Sequence, residues 1–177
     1  TLSRNMTLLA HHEMNGFGGL GEGINLQITK TGRRILWVAH ESAPKNFSGL
    51  DVTDPKNPRL IVQTDLPHMQ LRSNSLDVYG DILAVAYQTK VVGLKPAGVD
   101  LFDISNPEEP KLLSHFDCSG PHSRGVHALW FVDGKYIHMS SGAADFEPTN
   151  PLDDQFYRIL DVSDPTKPFE AGRWWYP

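Results

Sequence analysis

Apolar and polar residues alternate along this chain in short runs, and the runs recur in a fixed order. Asn25-Leu26-Gln27-Ile28 leads to Gly32, Ser75-Leu76-Asp77-Val78 to Gly80-Asp81, and Ala128-Leu129-Trp130-Phe131 to Asp133-Gly134. A second apolar run follows each turn: Ile35 to Ala39, Ile82 to Ala86, and Tyr136 to Met139. Residues two apart share one face of a strand, so this alternation, broken by Gly and Asp, predicts three hairpins. A polar loop then leads to a third strand at Gly49–Val52, Gly98–Asp103 or Tyr157–Asp161. A fourth follows at Arg59–Val62, Lys111–Ser114 or Phe169–Gly172, and Thr7–Ala10 reads as the outer strand of a preceding unit. No stretch carries an apolar stripe at helical spacing.

Between the third and fourth strands the chain writes one corner three times. Leu50-Asp51-Val52-Thr53-Asp54-Pro55-Lys56-Asn57-Pro58 returns as Phe102-Asp103-Ile104-Ser105-Asn106-Pro107-Glu108-Glu109-Pro110 and as Leu160-Asp161-Val162-Ser163-Asp164-Pro165-Thr166-Lys167-Pro168. The leading aspartates stand 52 and 58 residues apart. Proline lacks an amide donor and fixes its own φ, so two prolines three apart make a rigid corner. Four short antiparallel strands in each unit of about 50 residues describe a β-propeller blade. A β-sandwich is the rival, but it does not ordinarily repeat one corner three times.

The fold expected is therefore all-β: a partial β-propeller of three four-stranded antiparallel blades belonging to a larger ring. It forms one domain over residues 1–177, with units 11–62, 63–114 and 115–177 and an outer strand near 6–10. Propellers need about four to eight blades, and an open end exposes unpaired strand edges. The remainder of a parent chain, or another subunit, is expected to close the ring. The start at Thr1 and the aromatic end Trp174-Trp175-Tyr176-Pro177 likewise read as a piece of a longer polypeptide.

The three corners, each an apolar residue followed by Asp, Val or Ile, Ser or Thr, Asp or Asn, and Pro-x-x-Pro, resemble those of the LVIVD-repeat β-propeller proteins. The resemblance spans nearly the whole chain, with Gly49 and Phe102 as mild departures from the apolar run before the aspartate. It implies a propeller scaffold and an extracytoplasmic location, and it names no single chemistry.

Charge and cysteine content narrow the function. A formal net charge of −5, with no basic stripe, excludes a nucleic-acid binder. The single cysteine, Cys118, excludes an intrachain disulfide and a structural Cys-zinc site, and reads as a small packed residue. No apolar run approaches the roughly 20 residues of a membrane helix, and no signal peptide is read.

The candidate chemistry lies in the loops that enter the first strand of each unit. These are His11 to Gly23, Pro67 to Asn74 and Pro121 to His127. In a propeller such loops gather at one mouth of the central channel. His12, His68 and His122 occupy comparable places in them, as do Arg72 and Arg124. Imidazoles converging from several blades suit a divalent transition metal, so His68, His122 and His127 are the expected metal ligands, with Glu22 and Asn74 as further oxygen donors. His127 is the leading candidate because its strand begins there. Arg72, Arg124 and His40 are the expected catalytic residues, the arginines stabilising negative charge. The opposing reading is that repeats copy their loops, so Pro-His is only a turn. His115 and His138 fall inside strands and read as structural.

Gly16-Phe17-Gly18-Gly19-Leu20-Gly21 fits G-x-G-x-x-G, but a strand follows it rather than a helix, so no nucleotide cofactor is expected. The loop from Ser140 to Pro151 is long enough to serve as a lid or a partner surface. Two functions remain open. One is an enzyme, metal-dependent in its fullest form, acting on a small polar or anionic molecule at the channel mouth by hydrolase, lyase or oxidase-type chemistry. The other is a non-catalytic module binding a protein or glycan.

Overall fold

Fourteen strands carry the fold, in a computed structural model that describes residues 4–150 and 153–176. Thr1, Pro177 and Pro151 of the long loop therefore lie outside the described residues. The first sheet is β1 (Leu20–Ile28), β2 (Arg34–His40), β3 (Lys45–Asp51) and β4 (Arg59–Asp65). The second is β5 (Leu71–Tyr79), β6 (Ile82–Thr89), β7 (Gly98–Asp103) and β8 (Lys111–Asp117). A small hairpin, β9 (Ser119–Gly120) and β10 (Ser123–Arg124), leads to the third sheet. That sheet is β11 (Val126–Val132), β12 (Tyr136–Ser141), β13 (Phe156–Asp161) and β14 (Phe169–Trp174). Every pairing is antiparallel and every four-stranded sheet runs in chain order, the topology of propeller blades. Among the described residues the only helical piece is the 3-10 turn Met14–Gly16, and no helix is long and apolar enough to cross a membrane.

The three hairpins and their following strands lie where the alternation put them. The outer strands β4 and β8 run past residues 62 and 114, to Asp65 and Asp117. Residues 6–10 are not paired as a strand, and the remaining strands of the preceding unit to which the sequence assigns them are not among the described residues. Met14 instead lies against Val38 and Leu50 of the first blade, and its carbonyl accepts from Gln63 Nε2 at 3.2 Å.

The core is made between sheets, with the inner strand β5 touching both β1 and β11. Trp37 and Phe47 of blade 1 pack with Leu76, Leu83, Val85 and Ile104 of blade 2. Ala84, Ala86, Val99 and Leu101, from the other face of blade 2, pack with Phe131, Ile137 and Leu160 of blade 3. Trp37 explains the departure at Gly49. The two are cross-strand partners, and a Cβ at Gly49 would lie 2.9 Å from Val62 Cγ1 and 3.0 Å from the indole, so glycine leaves room that a larger residue would have to take from both side chains. The indole Nε1 donates to Gln27 Oε1 at 3.1 Å, and Gln27 Nε2 donates to the Ile104 carbonyl at 3.1 Å, so the buried polar atoms are satisfied across the junction.

The corner aspartates serve the scaffold. Asp51, Asp103 and Asp161 each accept from the backbone N–H two residues on, at 2.9, 2.8 and 2.9 Å. Asp51 also receives Arg33 and Arg59, and its carboxyl is held far below the usual carboxylate range, first by the Thr53 hydroxyl and then by that amide and the guanidiniums. Asp103 and Asp161 are depressed likewise, by Ser105 and Ser163. A depressed folded-state value stabilises the fold fully above the unfolded value of about 3.9 and is lost as pH falls below it. Urea unfolding is therefore expected to show a loss of stability that steepens below about pH 4 toward pH 2.5, on top of an earlier loss below about pH 6.5 as the buried His40, whose pKa is lowered, resists taking up a proton. Asp51→Asn should flatten the steeper loss.

Both ends of the arc are open. Leu20, Ile24, Leu26 and Ile28 form an exposed stripe along β1. At the other end Trp130, Val132 and Phe169 are exposed, Trp130 by 69%. The pairs Leu36–Leu50 and Leu83–Phe102 hold the same position relative to their corners. The second pair packs on blade 1, so the first marks the face where a preceding blade would lie. By the same register, Trp130, His138 and Ile159 match Asp77, Ala84 and Leu101, whose face of blade 2 packs on blade 3.

Candidate functional site

At the end of the sheets where the inner strands begin, blades 2 and 3 enclose a polar cleft of about 340 Å³. Arg72, Arg124 and His127 line it together, with Gln88, Asp153, Asp154 and Gln155. The strands present these side chains through irregular pairing. The ladder of β5 with β6 slips between Arg72 and Ser75, and that of β11 with β12 between Val126 and Ala128, on either side of His127. Such bulges turn a side chain away from the regular alternation, which is how an inner strand can aim a charged group into the mouth.

Each cationic group is held from behind by an acceptor. Gln88 is buried at the end of β6, opposite Arg72, and its Oε1 accepts from Arg72 Nε at 2.9 Å and from Nη2 at 2.5 Å. Arg72 Nη1 donates to Glu41 of blade 1. His127 Nδ1 lies 3.2 Å from the same Gln88 Oε1 and 3.4 Å from Arg72 Nη2. Nδ1 thus meets an acceptor and a donor, and Nε2 has no hydrogen bond to the described residues and is open to a ligand. Arg124 Nε and Nη2 grip Asp154 at 2.6 and 2.9 Å in a bidentate pair, and Asp154 is buried. That bond raises the Arg124 guanidinium above its ordinary value.

The remaining candidates stand elsewhere. His68 Nδ1 accepts from the Gln70 amide at 3.2 Å while Nε2 donates to the Lys95 carbonyl at 2.9 Å, so both nitrogens cap a turn. His122 is an exposed residue whose Nε2 lies 3.7 Å from Glu147. His40 is buried, 2.8 Å from the Ser48 hydroxyl, with its pKa lowered chiefly by that burial. None of the three lines the cleft. Glu22 is exposed on β1. Asn74 is buried, with Nδ2 donating to the His127 carbonyl at 3.4 Å and Oδ1 without a partner. Among the described residues no three His, Cys, Asp or Glu side chains stand together as a metal site. His68, His122 and His127 thus do not converge, and no step of the chemistry below passes through a metal.

The structure adds Gln88, Asp154, Gln155 and Glu41 to the site. Gln88 had a faint signal, a polar residue at the end of the apolar run of β6; Asp154 follows a loop with no motif to mark it. Cys118 is buried, and desolvation pushes its thiol up to about 11, which suits a packed residue rather than a nucleophile. The glycine-rich segment from Gly16 runs into β1.

Comparison with known families gives one match. The sequence model of the LVIVD repeat matches residues 154–175, which take in β13, its corner and β14. The match agrees with the resemblance carried by the three corners. No curated protein matches the chain.

Proposed function

We propose that the chain is an arc of a β-propeller whose strand-entry cleft captures a small anionic molecule. The observation that carries this reading is the cleft itself: two guanidiniums and an imidazole from three different strands line one polar depression, each fixed by Gln88 or Asp154 behind it. Pre-oriented donors bind an anion without the cost of ordering long side chains. Arg124 commits Nε and one side of Nη2 to Asp154, so Nη1 remains to meet a carboxylate or phosphate oxygen. Asp153 and Gln155, which also line the cleft, suit hydroxyl or amide groups on the same ligand. Among the described residues His127 is the one imidazole lining the cleft, so proton transfer to or from the captured ligand falls to it. The equivalence of the exposed and buried blade faces supports a further part of the reading: additional blades of the same type cover both ends.

Calorimetric titration with inorganic phosphate and a series of mono- and dicarboxylates tests the cleft. At least one anion is expected to bind saturably, and Arg72→Ala and Arg124→Ala should each weaken it about 10- to 100-fold, the worth of a charged hydrogen bond. His127→Gln should spare binding more than either arginine variant. Saturable binding that both arginine variants leave intact, or no saturable binding of any anion tried, would refute the reading.

A further inference from the structure

A second depression, of about 850 Å³, opens at the same end of blade 3, between the loop after β12 and the end of β14. Its composition is unlike that of the polar cleft. Phe146, Phe156, Trp174 and Trp175 supply rings, and among the described residues the only charged side chains that line it are the acids Glu147 and Asp153. Asp153 and Gln155 border both depressions.

The walls of this groove come from blade 3 alone. Arg173 Nη1 donates to both carboxylate oxygens of Asp145, at 2.9 and 3.0 Å, tying the loop to β14. Beside that tie Phe146 packs on Phe156 at 4.3 Å between centroids and on Trp175 at 6.0 Å. One of these rings, Phe156, already stands against cations. Arg158 and Arg173 stand 5.9 and 5.6 Å from the centre of Phe156. Both arginines are matched by Glu170, and Arg173 also by Asp145. Among the described residues Glu147 meets only a 3.7 Å approach from His122, and neither acid of the groove is paired with an arginine or lysine there.

We propose that this groove binds an organic ammonium ion, with its alkylated nitrogen over the indoles and Glu147 and Asp153 supplying the opposite charge. An anion would meet two carboxylates and no lysine or arginine. A wholly apolar ligand would strip water from the acids without replacing their hydrogen bonds. A small inorganic cation holds its water too strongly to exploit aromatic faces, whereas a quaternary ammonium sheds it easily, and indole is the best ring for it. Trp174 is 62% and Trp175 47% exposed, so a ligand can reach both indoles.

Choline and its neutral carbon isostere, 3,3-dimethylbutan-1-ol, separate charge from shape. Calorimetry and tryptophan fluorescence on the complete protein should show saturable choline binding, with the alcohol about tenfold weaker, as expected for a cation over aromatic rings. The double variant Glu147→Gln, Asp153→Asn should remove most of that preference while leaving the alcohol unchanged. Trp174→Leu and Trp175→Leu should each weaken choline; the first guards against loss of packing in the second, since Trp175 touches Phe146 and Phe156. Equal affinity for choline and alcohol would overturn the proposal. So would the absence of choline binding, including the case in which Trp174 and Trp175 are shielded from a soluble quencher because a neighbouring blade covers them.

Discussion

Replacing Trp37 with alanine is expected to lower the unfolding free energy by about 3–5 kcal/mol, the range for truncating a fully buried large aromatic. The indole is 0% exposed, lies 5.9 Å from Phe47 in an edge-on arrangement, and faces the glycine that makes room for it. Its removal leaves a cavity at the junction of blades 1 and 2 that a backbone as constrained as a β-sheet cannot collapse to fill. It also frees Gln27 Oε1 from its only ring donor in a buried position. Urea unfolding followed by circular dichroism checks this: the midpoint should fall with an unchanged slope. Trp130→Ala, at the open face, should cost far less in the isolated chain.

The second large effect is expected at Gly23. Here β1 passes so close to β5 that a Cβ would lie 2.1 Å from the Leu76 nitrogen and 2.8 Å from the Ser75 carbonyl carbon. Both are backbone atoms, so no side chain can rotate away, and the inner strands must separate. Gly23→Ala should therefore destabilise by about 3 kcal/mol, at the top of the range for overpacking. Gly18→Ala is the matched control: nothing lies within 4 Å of its Cβ position, and the change should stay within about 0.5 kcal/mol. Thermal unfolding of the two variants in parallel distinguishes a close-approach effect from a general intolerance of alanine.

The architecture was legible in the sequence because blade-forming signals are local and repeated. The alternation of Ser75 to Val78, the Gly80-Asp81 turn and the run after it need no distant partner to be read as a hairpin, and the Asp-to-Pro corner says so again in each unit. The segment 6–10 reads as the outer strand of a preceding unit, whose other strands are not among the described residues. Its local pattern suits an outer strand, but strand formation depends on a neighbour that pattern alone cannot supply. The site was legible in its charges and not in its geometry. Arg72, Arg124 and His127 stand out as unusual residues at inner-strand entrances, and they share one cleft. His68 stood out equally and caps a turn instead, since a matching loop position does not determine which way an imidazole points. Gln88 and Asp154 were missed because their role is to face a cation 16 or 30 residues away in the chain, a pairing that only the folded sheet creates.

The account rests on the exposed faces at Trp130 and along β1 being blade junctions. Oxidative footprinting of the complete native assembly, read by mass spectrometry, tests this most directly. Trp130 is expected to be protected to nearly the level of Trp37, although it is 69% exposed in this arc and Trp37 is 0% exposed. Rapid oxidation of Trp130 in a cooperatively folded assembly, alongside a protected Trp37, would contradict it.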